Sequence, residues 1–202
     1  MVFYLALIHV ALEYQSLSKQ HELESSMSSC SLPPFTEYAV SKIQLYFFEC
    51  REEEEFPEVL DFVTRIEGLF SVPVVRLRNR IKDEIEGLKI SRGLTAVLLG
   101  VRHGDPYSEE LTGFDPSTAG WPQFMRVHPV LDWTYAQVWE FLRTIELDYC
   151  PLYDLGFTSL GMVGNTCRNP VLKRTNSRGD EFYLPAYELV EDKYEREGRV
   201  SI

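Results

Sequence analysis

Disulfide frameworks, metal cages and membrane spans all leave marks in a sequence, and these 202 residues carry none of them. The four cysteines, Cys30, Cys50, Cys150 and Cys167, form no C-x-x-C pair and no zinc-ligand spacing with the four histidines. Free thiols in a reducing cytoplasm are therefore the expectation. Basic charge is scarce: 20 Lys and Arg against 31 Asp and Glu leave a formal net charge of -11. That balance argues against a nucleic-acid or acidic-membrane surface. It leaves room for an anionic small ligand, because a few clustered arginines reverse the field locally. Long apolar runs are missing too. The opening stretch MVFYLALIHVALEYQ lacks the positive flank and small-residue cleavage site of a signal peptide and is too short to cross a bilayer. A buried helix over Val2 to Leu17 is the expectation there. Nothing points to an obligate protein partner.

What is present is a rhythm. After a serine-rich polar stretch closed by Pro33 and Pro34, Ile43 to Phe48 is a short β-favouring run that ends in the acidic cluster Glu49 to Glu55. From Phe56, the spacing of Val59, Phe62, Val63, Ile66 and Phe70 draws one apolar helical face, with Pro57 in its first turn. Val72 to Leu77 reads as a strand, Ile81 to Arg92 as an amphipathic helix stopped near Gly93, and Thr95 to Gly100 as the next strand. Such alternation predicts an α/β fold, an open and mostly parallel sheet with helices on both faces. Beyond it, Asp105 to Pro122 reads as a loop and Trp133 to Leu147 as a helix capped by Thr134. The tail carries turn residues and a last helical stretch near Tyr187 to Glu197. The whole reads as one domain, with 1–42 as a remnant helix and polar insertion and 43–202 as its core.

In an open parallel sheet, ligands bind outside the carboxyl ends of the strands. Gly100 to Asp105 falls there. Arg102 suits a phosphate contact and Asp105 a magnesium ion bridging phosphate oxygens, or else the two pin a loop. Trp121 suits ring stacking or core packing, and Arg126 an anion contact. The turn GFTSLG offers backbone N–H groups and the Thr158 hydroxyl to a phosphate. Arg196 and Arg199, in YEREGR, are solvated charges or anion contacts.

Taken together, GVRHGDPYSEEL, GWPQFMRVHPVLDWTYAQVWEFL, YCPLYDLGFTSLG, NTCRNP and YEREGR closely resemble the eukaryotic FAD synthetase (FMN adenylyltransferase) domain, a relative of the PAPS reductases. The resemblance runs from about Ile43 to the C terminus. It implies an adenine nucleotide alpha hydrolase-like fold with an irregular C-terminal flavin-binding segment. It also implies a nucleotidyltransferase that moves AMP from Mg-ATP to FMN, giving FAD and pyrophosphate. Carried over, Asp105 is the catalytic carboxylate and magnesium ligand, and Arg102 the catalytic strand-end arginine. Trp121, Arg126, Thr158, Arg196 and Arg199 serve the flavin side, and Leu45, Phe48 and Gly100 the ATP side. A PAPS reductase is disfavoured, because that relative uses a cysteine near its C terminus and none follows Cys167.

Two departures stand out. Thr118 occupies the position three before Trp121 where many relatives are acidic, with Asp115 displaced nearby. More broadly, the family's first strand and S-x-G-G-K-D pyrophosphate loop have no counterpart, and VFYLALIHVAL resembles the helix that follows that loop. The expectation from these residues is an enzyme impaired by the missing loop, or an inactive remnant that binds flavin nucleotide or a protein partner. Calorimetric titration of this chain is expected to show measurable FMN binding and greatly weakened Mg-ATP binding; ATP affinity equal to that of a loop-bearing relative contradicts the expectation.

Overall fold

The computed structural model describes residues 45–48, 54–70 and 74–200. The expected helix over Val2 to Leu17, the serine-rich stretch and most of the acidic cluster lie outside them. The first described strand, β1 (Leu45–Phe48), is followed by α1 (Pro57–Phe70), β2 (Val74–Leu77), α2 (Ile81–Arg92) and β3 (Ala96–Leu98). The alternation read from the sequence is thus the alternation observed.

Each helix carries the local chemistry that makes it one. In α1, Val59, Phe62, Val63 and Ile66 are buried on one stripe while Asp61, Thr64 and Arg65 face solvent. Its end is tied to the next strand, because Val74 N–H donates to Glu67 Oε1 at 3.0 Å. Helix α2 has Asp83 and Glu84 in its first turn and Lys89 and Arg92 in its last, both matched to the helix dipole. It stops where Gly93 takes φ 65° and returns its N–H to Lys89 O at 3.1 Å. Helix α3 (Tyr135–Thr144) begins with a reciprocal cap: Gln137 N–H donates to Thr134 Oγ1 at 3.1 Å, and Thr134 N–H donates to Gln137 Oε1 at 2.9 Å.

The α/β class holds, but the strands come in pieces. β1 and β2 pair in parallel, Leu45 opposite Val74. β3 pairs in parallel with β5 (Met125–Val127), and β5 pairs antiparallel with β4 (Phe114–Pro116). No ladder joins the two sheets among the described residues. The stretch from Asp105 to Pro122, expected to be all loop, therefore contains a strand. Three residues between Gly113 and Ser117 give too short an alternation to register as one.

A second difference lies in the tail. The expected helix near Tyr187 to Glu197 is instead two single turns, Ala186–Glu188 and Asp192–Tyr194, and a hairpin of β6 (Lys173–Thr175) and β7 (Glu181–Tyr183) precedes them. Apolar residues of the stretch do not share a face: Ala186 and Leu189 are buried while Val190 is 89% exposed. The carbonyls a helix would need are also taken, since Ala186 O, Tyr194 O and Glu195 O accept from the side chains of Tyr135, Asn169 and Thr158.

One core gathers these parts. Phe47 of β1 and the α1 stripe join Tyr135, Val138, Trp139 and Leu142 of α3 and the buried tail residues Leu152, Tyr153, Leu172, Ala186 and Leu189. At its centre Trp139 meets Tyr135, Tyr149, Tyr153 and Tyr187 edge to face, with centroids 5.1 to 6.1 Å apart. This aromatic cage fastens the irregular tail to α3.

Because α3 begins on this reciprocal cap, Thr134→Ala is expected to cost about 1 kcal/mol of stability, read as a shifted midpoint in urea unfolding.

Candidate functional site

The strand-end loop that follows β3 is built as a tight, self-bonded turn. Arg102 N–H donates to Asp105 Oδ2 at 2.9 Å, and Asp105 N–H donates to Arg102 O at 2.9 Å. The buried Ser108 hydroxyl lies 2.8 Å from His103 O and 2.6 Å from Asp105 O, closing the loop from behind. His103 N–H donates to Leu131 O at 2.9 Å, which anchors the turn to the segment leading into α3. Tyr107, just past Pro106, takes φ 63°. The aspartate that closes the turn is held by the Arg102 N–H, so its carboxylate has a defined place.

The C-terminal segment comes to this loop from the far end of the chain. Arg102 is only 4% exposed, and its guanidinium donates to the Glu195 carboxylate. Burial raises the Glu195 pKa, against the pull of Arg102 in the other direction. Arg196 Nη1 stands 4.0 Å from Asp105 Oδ1. The segment is held in place by Asn169, which has no solvent exposure: its Nδ2 donates to Thr158 Oγ1 at 2.8 Å and to Tyr194 O at 2.7 Å. Thr158 in turn donates to Glu195 O at 2.6 Å. Farther on, Cys167 N–H donates to Gly198 O at 2.8 Å, an approach so close that a side chain at Gly198 would run into Cys167 O.

A cleft of about 420 Å³ opens where these parts meet, bordered by Arg102, His103, Trp133, Asp192, Lys193 and Arg196 among others. Asp192 also caps α3, accepting from Tyr135 N–H at 3.0 Å.

The sequence-derived site residues divide accordingly. Arg102, Asp105, Thr158 and Arg196 are brought together. Arg199 stands a few residues on, with its guanidinium against Gly161. Trp121 and Arg126 do not border the cleft; they belong to the β4–β5 hairpin, where Trp121 N–H closes a turn on Thr118 O at 3.0 Å and Arg126 Nε donates to Pro116 O at 3.2 Å. Asp115 faces Arg126 across the ladder. The Thr112 N–H, aided by the Thr112 hydroxyl and the Arg126 charge and opposed by desolvation, holds the Asp115 carboxyl below its ordinary range. Gly100 follows β3 and is half-buried, β1 places the Leu45 and Phe48 backbones beside β2, and the side chains of those two lie outside the description.

Thr158 and the glycine turn differ from their expected use. The Thr158 hydroxyl is spent inside the protein, and the N–H groups of Gly156, Phe157 and Gly161 donate to Tyr153 O, Leu152 O and Thr166 Oγ1. The turn supports the C-terminal segment through these bonds. Sequence reasoning passed over Glu195, Asn169, Ser108 and His128, the last buried with Nδ1 2.8 Å from Thr112 O. The only trace of Glu195 and Asn169 was their presence inside the motifs YEREGR and NTCRNP, where the arginines drew the eye.

Among the described residues no group of three or more His, Cys, Asp or Glu side chains is placed to hold a metal. A lone carboxylate such as Asp105 still suits magnesium, which takes one or two carboxylates together with substrate phosphates.

Comparison with known proteins gives a consistent answer. Residues 79–168 match the phosphoadenosine phosphosulfate reductase domain. The chain is 36% identical to a probable FAD synthase of Schizosaccharomyces pombe, over 82% of this chain and 62% of that one. It is 38% identical to a probable FAD synthase of Caenorhabditis elegans, over 77% of this chain and 30% of that one. It thus spans less than two thirds of these curated relatives. Its fold superposes on the crystal structure of Candida glabrata FMN adenylyltransferase with a TM-score of 0.70 and 26% identity, covering 82% of this chain and 71% of that one. The same enzyme in complex with FMN and the ATP analogue AMPCPP gives a TM-score of 0.69 and 26% identity, covering 81% and 72%.

Since Asn169 bridges Thr158 and Tyr194 without access to water, Asn169→Ala is expected to cost about 1–3 kcal/mol in denaturant unfolding, through the unpaired groups it leaves behind.

Proposed function

We propose that this chain, a homologue of the eukaryotic FAD synthases, is an FMN adenylyltransferase, moving AMP from ATP to the phosphate of FMN with release of pyrophosphate. The observation that carries the reading is the meeting of Asp105 and Arg196 beyond the carboxyl end of β3, the place where open parallel sheets receive nucleotides. The likeness to an adenylyltransferase crystallised with FMN and an ATP analogue supports it.

The chemistry needs no covalent intermediate. The FMN phosphate must be aligned with the α-phosphorus, and the charge of the leaving pyrophosphate must be neutralised. Arg196 supplies a cation at the cleft, and Asp105 is the carboxylate that would hold a magnesium ion. That ion, when bound, would draw charge from the polyphosphate. Trp121 and Arg126, on the hairpin, and Arg199 are assigned to the flavin: an exposed indole offers a face for the ring system, and guanidinium groups offer forks for phosphate or flavin carbonyls. Leu45, Phe48 and Gly100 are assigned to the adenine side. Thr158 acts from beneath, by holding Glu195. The thiols of Cys150 and Cys167 are free, which suits a reducing cytoplasm. No helix among the described residues is long and apolar enough to cross a membrane.

A second reading is flavin-nucleotide binding without transfer. The two separate in one assay. Incubation with FMN, ATP and magnesium is expected to yield FAD by chromatography; binding of FMN without any FAD selects the second reading, and binding of neither nucleotide defeats both. Trp121→Ala is expected to weaken FMN binding by about tenfold in calorimetric titration, the scale of one lost stacking contact.

A further inference from the structure

Arg102 and Glu195 are 93 positions apart in sequence and meet where neither has much water, their side chains 5% and 15% exposed. A guanidinium already matched by a carboxylate offers little net charge to an incoming phosphate, and detaching it would strand Glu195 unpaired in a desolvated place. The Arg102 guanidinium also lies 5.9 Å from the centre of the Tyr135 ring, on the first turn of α3.

The next residue along the chain has the opposite setting. The Arg196 side chain is 42% exposed and borders the cleft, 4.0 Å from Asp105. Its backbone position is fixed on the N-terminal side by three fastenings: Asn169 to Tyr194 O, Thr158 to Glu195 O, and Arg102 to the Glu195 carboxylate. Of these, the ion pair alone connects the segment to the strand-end loop that bears Asp105.

We propose that Arg102 is a positioning residue, half of an internal clasp with Glu195 that seats the C-terminal segment on the strand-end loop, and that Arg196 is the cation presented to the substrate's phosphate. This rests on the adenylyl-transfer reading and assigns its two arginines different jobs. One is structural and sealed; the other meets the ligand.

The test is a double-mutant cycle on the full chain, with FMN and inorganic pyrophosphate as calorimetric probes and a melting curve for each variant. Arg102→Met and Glu195→Met, each alone, leave a partner unpaired and are expected to weaken binding by about fivefold or more, while the two together recover affinity to within about threefold of the natural chain. Arg196→Ala is expected to weaken both probes by about tenfold with no change in melting temperature. A double variant that binds no better than Arg102→Met alone means that Arg102 touches the anion itself and overturns the proposal. If the methionine variants do not fold, Arg102→Gln with Glu195→Gln, an uncharged pair of nearly the same reach, is judged by the same recovery. Should the natural chain bind neither probe, the adenylyl-transfer reading and the role of Arg196 both fail. The melting temperatures then still decide the clasp: losses in the single variants that the double restores uphold it, and additive losses overturn it.

Discussion

An asparagine with no exposed surface holds the segment on which the site depends. Asn169 spends its amide on Thr158 and on the carbonyl of Tyr194, and its Oδ1 accepts from Val171 N–H at 2.9 Å. A buried amide left unsatisfied is costly, so the network has essentially one low-energy arrangement. That arrangement fixes the backbone of 194 and 195, and from there Glu195 can reach Arg102 while Arg196 stands at the cleft. An irregular tail, with neither a long helix nor a wide sheet, thereby acquires the precision that regular elements usually give.

The parts of the fold that were legible in the sequence are those whose signals are local. Helix α2 runs over the residues its spacing and Gly93 indicated, because dipole-matched charges and a left-handed cap act within one turn. Helix α3 was marked by Thr134 and an apolar face for the same reason. The β4 strand was not, since three residues between Gly113 and Ser117 carry no periodicity, and their pairing is decided by β5 ten residues away. The tail misled in the opposite direction: Tyr187 to Glu197 is rich in helix formers, yet the carbonyls of Tyr194 and Glu195 are claimed by Asn169 and Thr158, and that of Ala186 just before it by Tyr135 of α3. Long-range polar competition of this kind has no signature in a window of a dozen residues.

The site shows the same division. Arg102 and Asp105 stood out because a strand, a glycine and a charged turn lie in sequence together. Their relation to Glu195 spans 93 positions and could be reached only through the resemblance of whole motifs, which brought the C-terminal arginines to the site but said nothing of the glutamate between the tail's helix-like residues and Arg196. The question of whether Arg102 pins a loop or meets a phosphate changes form once its partner is seen. It pins, but what it pins is the segment that carries another arginine.

Charge then has to be read at short range. A chain of net charge -11 repels anions at a distance, yet at physiological salt that repulsion fades over a Debye length of about 8 Å, so what a phosphate meets is set by its immediate neighbours. Those neighbours are paired before any ligand arrives: Arg102 with Glu195 and Arg196 near Asp105. The pairs differ in what a ligand can take from them. Arg102 is locked by burial, because separating it would leave a carboxylate without partner or water. Arg196 is half in solvent and stands at 4.0 Å, longer than a hydrogen bond, so turning toward a phosphate costs it little. The availability of a cation, not the number of arginines at the mouth of β3, is therefore what suits this cleft to a nucleotide.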